Sequence, residues 1–179
     1  MKFHKTELKG AYIIELEKLE DNRGFFTRTW CHKEFEDEGL VSRVEQANIA
    51  FNAKTGTLRG MHYQVAPYEE TKVIRCTRGA LYDVIVDLRP GSSTYKRWIG
   101  VELTADNYKM LYVPANFGHG YITLKDNTEM IYFVSESYAP GAERGIRWDD
   151  PAFNITWPRS VGLISEKDAN WPDFVIQSL

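Results

Sequence analysis

Between residues 71 and 135 the chain is a succession of short apolar, β-branched and aromatic runs, each closed by a turn signal. Residues 71–77 read as a strand, Arg78-Gly79 as a tight turn, and residues 80–88 as the next strand. In that second strand Ala80, Tyr82, Val84, Val86 and Leu88 share one face, and Asp83 and Asp87 share the other. Trp98–Thr104 alternates with Ile99, Val101 and Leu103 on one side, and Lys109–Val113 follows a turn. Residues 117–124 and 128–135 flank Lys125-Asp126-Asn127 as the arms of a hairpin. Short strands at near-even spacing predict an all-β sandwich or barrel. The earlier part fits the same class. Residues 11–16 and 25–30 read as strands around a turn at 19–24, and 41–50 as extended chain. Residues 33–38 form the one convincing helical piece, stopped by Gly39. Residues 157–179 read as an irregular or weakly helical tail over the barrel.

The size, 179 residues, predicts one domain spanning 1–179. Hydrophobic residues at 43% supply a core, and a net charge of −3 gives no support to nucleic acid or an anionic membrane as the partner. Cys31 and Cys76 are far apart, with no CxxC or Cys-His cluster, so neither a disulfide framework nor a structural zinc is expected. No apolar run reaches membrane-spanning length, and residues 1–9 lack the apolar core of a signal peptide. The expected location is the cytoplasm.

Chemistry concentrates in Gly56-Thr57-Leu58-Arg59-Gly60-Met61-His62-Tyr63-Gln64. Arg59 and His62 lie three apart, which on a regular strand puts them on opposite faces. Gly60 between them marks a place for a bulge, and a bulge would bring both to one side. A guanidinium and an imidazole converging on one cavity suit an anionic substrate with a proton to move. A buried histidine beside a surface arginine is the plainer alternative. Further on, His119 stands in Pro114-Ala115-Asn116-Phe117-Gly118-His119-Gly120. A barrel with histidines at these two places is similar to the cupin jelly roll. Metal-binding cupins carry His-x-His, a glutamate and a later histidine. Here Gln64 takes the second histidine's place and only Glu69 or Glu70 is available as the carboxylate, so no metal is expected.

Several stretches together resemble the dTDP-4-dehydrorhamnose 3,5-epimerase family, metal-free cupin enzymes of deoxysugar biosynthesis. They are Asp21-Asn22-Arg23-Gly24-Phe25-Phe26, Thr57 through Gln64, Lys72-Val73-Ile74-Arg75, Asp83 through Arg89, Val113 through Tyr121, Ile131-Tyr132, Tyr138-Ala139-Pro140, Ile146-Arg147-Trp148 and Ser165-Glu166-Lys167-Asp168. The combination of LRGxHYQ with a downstream PxxFxHGY is specific. The resemblance implies a cupin-type double-stranded β-helix with a few short helices. It implies a cofactor-free isomerase acting on a nucleotide-diphospho-4-keto-6-deoxyhexose, inverting C3, C5 or both. Inversion beside a ketone needs a base, an acid on the opposite face, and a stabiliser for the enolate. By resemblance His62 is the base, Asp168 its orienting partner, Tyr132 the acid and Lys72 the positive charge at the ketone oxygen. Arg59 and Arg23 resemble the residues that hold the diphosphate, and Gln46 and Asn48 a polar pair. Tyr138 resembles a ring that packs on base or sugar. His119, Glu143 and Lys167 fall on further substrate-contacting positions. Family dimers exchange N-terminal strands, so a homodimer is expected, with Arg23 and Arg28 serving the partner's site.

Two stretches depart from the family pattern. Arg28 stands where the family usually has a glutamate that contacts the nucleotide base. A glutamate accepts hydrogen bonds and an arginine only donates. That leaves the thymidine nucleotide open, with cytidine diphosphate the first alternative. Residues 48–52, NIAFN, also differ from the family's serine-rich pattern. Rival readings are a single-centre epimerase, a 3,4-ketoisomerase, a metal-dependent cupin oxygenase and a non-catalytic sugar-nucleotide-binding module.

Overall fold

The computed structural model describes residues 1–174. In chain order the elements are β1 (Lys2–Lys5), β2 (Tyr12–Glu15), β3 (Leu19–Asp21), β4 (Gly24–Phe26), α1 (His32–Asp37), β5 (Gln46–Asn52), β6 (Leu58–Gln64), β7 (Lys72–Arg78), β8 (Ala80–Asp87), β9 (Trp98–Thr104), β10 (Lys109–Val113), β11 (Phe117–Thr123), β12 (Thr128–Val134), β13 (Glu143–Gly145) and α2 (Glu166–Ala169). A six-stranded sheet runs β1-β2-β10-β7-β12-β5, and a five-stranded sheet runs β13-β6-β11-β8-β9. Every strand pairing in them is antiparallel. The two sheets pack face to face as a cupin-type jelly roll.

The core between the sheets mixes residues from both. Ile74, Cys76, Leu111 and Met130 from the larger sheet meet Leu81, Ile85, Phe117 and Tyr121 from the smaller one. Each sheet is also covered on its outside. Phe35 of α1 is fully buried against Ile14, Val73, Met110 and Tyr112. Ile146 and Phe153 cover Met61, Val84 and Val86. A strand covered on both faces reads as a continuous apolar run rather than a clean alternation. That explains β8, where the odd residues face the barrel interior and Asp83 and Asp87 are fully buried there. A charge at such a depth needs a partner. Asp87 has Arg89, Ser92 and Thr94; Asp83 has His119.

Most expected strands from residue 71 onward lie within a residue or two of their observed bounds. The N-terminal third differs more. The residues expected as a turn at 19–24 include β3, which pairs with β4 as a two-stranded hairpin around Asn22-Arg23. Of the strand expected at 25–30 only Phe25 and Phe26 form, as part of β4. Of residues 41–50, those before Gln46 are irregular. In the expected tail, Leu58 N–H donates to the Leu163 carbonyl and Leu163 N–H to the Gly56 carbonyl. That tie leads the chain into α2 beside the central strand. The last residues of the tail, 175–179, lie outside the described residues.

Candidate active site

The central strand β6 carries the expected bulge. His62 pairs with His119 and Arg59 with Tyr121, so three steps on β6 match two on β11. Gly60 makes this possible on two counts. Its φ is +118°, and a Cβ there would lie 2.5 Å from Gly120 Cα and 2.7 Å from the His119 carbonyl oxygen. With the extra residue absorbed, Arg59 and His62 line one cleft of about 310 Å³ at the mouth of the barrel.

His62 Nε2 lies 2.6 Å from Asp168 Oδ1. Asp168 is itself held from two sides: its Oδ2 accepts the Gly60 N–H at 3.2 Å, and its own N–H donates to Ser165 Oγ at the N-cap of α2. Burial would raise the Asp168 carboxyl, but the His62 hydrogen bond and charge and the Gly60 N–H hold it below the usual carboxylate range. The carboxylate therefore stays ionised opposite His62. It favours the tautomer with the proton on Nε2, leaving Nδ1, which has no protein partner among the described residues, as the basic nitrogen. Trp171 stands edge-on to the imidazole at 6.2 Å between ring centroids. Its indole is seated over Gly145, where a Cβ would come within 2.1 Å of the ring.

The other wall belongs to the six-stranded sheet. Lys72 on β7 and Tyr132 and Met130 on β12 line the same cleft. Lys72 Nζ is 3.0 Å from Glu70 Oε1, with both side chains largely buried. Burial pushes the Tyr132 hydroxyl above its ordinary value, and the Glu70 charge adds to the shift. A phenol so placed keeps its proton at neutral pH, and it makes no protein hydrogen bond among the described residues.

Of the other expected residues, His119 and Lys167 line the cleft as well. His119 Nε2 is 2.7 Å from Asp83 Oδ1, so a second histidine–aspartate pair lies beside the first. Lys167 Nζ meets Glu143 Oε2 at 2.6 Å, and the Tyr138 hydroxyl donates to the same oxygen at 2.8 Å. Burial would raise Glu143, and these two donors bring it below the usual range. Gln46 accepts the Tyr138 N–H, and Asn48 is the cross-strand partner of Tyr132. Gln64 is fully used by two loops: it donates to the Tyr68 carbonyl between β6 and β7 and to the Ser137 carbonyl after β12, and accepts the Ala139 N–H. Arg23 and Arg28 are not brought to this cleft. Arg23 is exposed at the hairpin tip and pairs with Asp21; Arg28 pairs with Glu34.

The family model for dTDP-4-dehydrorhamnose 3,5-epimerase matches residues 5–175. The chain belongs to the dTDP-4-dehydrorhamnose 3,5-epimerase family. It is 42% identical over 177 residues to the dTDP-4-dehydrorhamnose 3,5-epimerase of Sinorhizobium fredii, covering 96% of this chain and 89% of the relative. The crystal structure of the Elizabethkingia anophelis epimerase superposes with a TM-score of 0.94 at 37% identity, covering 97% of this chain and 96% of that one. The Bacillus anthracis epimerase, solved with TDP and PPi bound, has a TM-score of 0.93 at 39% identity, covering 97% and 99%. As a member of this epimerase family the chain is an isomerase-class enzyme.

Some residues of the site were not anticipated. Asp83 and Ser165 stood in quoted motifs without a role, although a lone carboxylate in an apolar strand is a sign of a buried pair. Tyr121 closes the PxxFxHGY stretch and Asn52 the departing NIAFN stretch, neither with a role assigned, and Trp171 had no sequence signal beyond size. Among the described residues no helix is long and apolar enough to cross a membrane.

Proposed function

We propose that the chain epimerises a thymidine-diphospho-4-keto-6-deoxyhexose at C3 and C5 without a cofactor. The observation that carries this is the placing of two proton-transfer groups on facing sheets. His62 lies on β6 of one sheet, hydrogen-bonded to Asp168, and Tyr132 lies on β12 of the other, keeping its proton. His62 removes the proton beside the C4 ketone. The electron pair moves onto the ketone oxygen, where Lys72 stabilises the enolate. Tyr132 returns a proton to the opposite face, and solvent resets both groups. Atoms and charge balance without an oxidant. Inversion at both centres follows the relatives' naming.

Arg59 supplies the diphosphate contact, with His119, Lys167, Gln46 and Asn48 around the sugar and Tyr138 and Glu143 at the mouth. Thymidine is favoured over the cytidine alternative, because the relatives are dTDP-sugar enzymes and Arg28 is engaged by Glu34 at 2.6 Å. Arg23 and Arg28 act in the partner's site of a homodimer. Leu19, Phe26 and Ile49 support this, exposed at 69%, 66% and 67% on the hairpin and edge strand that exchange would cover. The whole chain acts as one domain in the cytoplasm.

The test is incubation in deuterated water with 4-keto-6-deoxyhexose linked to dTDP, CDP or GDP, followed by NMR. Deuterium at C3 and C5 with inversion at both, fastest for dTDP, is expected. Exchange at one centre would reduce the reading to a mono-epimerase, and binding without exchange would refute it. Sedimentation of the purified chain tests the dimer.

A further inference from the structure

Asn52, at the end of β5, is 3% exposed and has no role in the proton transfers. A buried primary amide needs partners, and here their polarity fixes its orientation. Arg59 Nε can only donate, and it reaches Asn52 Oδ1 at 2.9 Å. The Thr128 carbonyl can only accept, and Asn52 Nδ2 approaches it at 3.5 Å while donating to Tyr121 Oη at 3.2 Å. Tyr121 Oη in turn lies 3.4 Å from Asn52 Oδ1. Burial raises the Tyr121 hydroxyl to about 12, so this phenol stays a neutral anchor. A serine is too short to span these groups, and an aspartate would turn an oxygen toward the Thr128 carbonyl.

The consequence falls on Arg59. Its Nε is tied to Asn52 and its Nη2 lies 3.5 Å from the Phe51 carbonyl. Its Nη1 has no protein partner among the described residues. We propose that Asn52 is a positioning residue for Arg59, locking the guanidinium so that its Nη1 edge is presented to the diphosphate. This rests on Arg59 being the phosphate arm. Arginine has many rotamers, and one held in place before the ligand arrives loses less freedom on binding. Asn52, Tyr121 and Arg59 join β5, β11 and β6, so the arm is referenced to both sheets.

The test is calorimetric binding of dTDP and of thymidine to the full chain, with kcat and KM. The proteins are wild type, Asn52→Leu, Arg59→Ala and the double variant. Asn52→Leu should weaken dTDP about 10-fold, the scale of one hydrogen bond to a charged group. It should leave thymidine binding alone and raise KM while kcat holds. With Arg59 already replaced by alanine, Asn52→Leu should add nothing. If Arg59→Ala weakens dTDP and Asn52→Leu does not, or if the two effects simply add, Asn52 does not act through Arg59 and this proposal alone fails. If Arg59→Ala leaves dTDP affinity intact, Arg59 is not the phosphate arm, and both readings fall. Should Asn52→Leu not fold, Tyr121→Phe removes one anchor at nearly constant volume. A loss of dTDP affinity of about 3-fold supports the proposal and unchanged affinity overturns it.

Discussion

Asp168→Asn should damage the enzyme more than Asp168→Ala, because of the atom facing the other carboxylate oxygen. Asp168 accepts from two sides: His62 Nε2 at 2.6 Å and the Gly60 N–H at 3.2 Å. An asparagine has one acceptor oxygen and one donor nitrogen. The Gly60 N–H can only donate, so the amide oxygen must turn to it and the NH2 must face His62. His62 Nε2 then has to accept, and the ring proton moves to Nδ1, the nitrogen proposed as the base. Two hydrogen bonds of about 1 kcal/mol each hold that inactive tautomer. Together they make about 2 kcal/mol, a factor of about 30 in rate. Alanine imposes no tautomer; it only removes the carboxylate, for which a loss of roughly 100-fold is expected on the scale of acid–base assistance. The predicted order is therefore wild type, then Asp168→Ala, then Asp168→Asn lower by about another 30-fold. The assay is the initial rate of deuterium incorporation at C3 and C5 at saturating substrate, with Tm measured for each variant. Asp168→Asn equal to or faster than Asp168→Ala, with both folded, would refute the tautomer argument.

Three further outcomes are expected. Tyr132→Phe should keep proton removal and lose delivery on the far face, so NMR should show solvent exchange outlasting inversion; a parallel fall in both would make Tyr132 a positioning group. Gly60→Ala should destabilise the fold by on the order of 3–5 kcal/mol, since its Cβ meets the backbone of β11 at 2.5 Å and 2.7 Å. A Tm within a few degrees of wild type would contradict that geometry. The depressed Asp168 carboxyl stabilises the fold above the ordinary carboxylate value of about 4, and the gain is lost as pH falls through the lower folded value. Denaturation of wild type and Asp168→Ala should thus show a stability gap that narrows below about pH 4; a gap constant from pH 7 to 3 would exclude a shifted carboxyl.

The strands from Thr71 to Val134 were legible because turn residues mark their ends and their apolar residues either alternate, as in β9, or run nearly unbroken, as in β8. The bulge at Gly60 was legible from a glycine between two functional side chains three apart. The β3–β4 hairpin was not, because its strands are only three residues long and exposed, so no buried face imposes a pattern. The roles of His62 and Tyr132 came from motif resemblance. What motif reading could not supply was the partner structure: His119 with Asp83, Glu143 with Lys167 and Tyr138, and Arg59 with Asn52. These pairs join residues from 5 to 36 positions apart, set by register and loop path rather than by local pattern.

His62 and Asp168 are separated by 106 residues, and Asp168 sits in α2, the last described element. During synthesis the chain emerges N-terminal end first. The barrel strands can therefore pair and enclose their core while His62, the proposed base, still lacks its carboxylate. The carboxylate that fixes the His62 tautomer arrives when Leu163 docks beside Gly56 and Leu58 and α2 settles against β6. A nascent or C-terminally nicked chain that pairs these strands would keep Arg59 and Lys72 on them and would be slowed by the roughly 100-fold expected for loss of the Asp168 carboxylate.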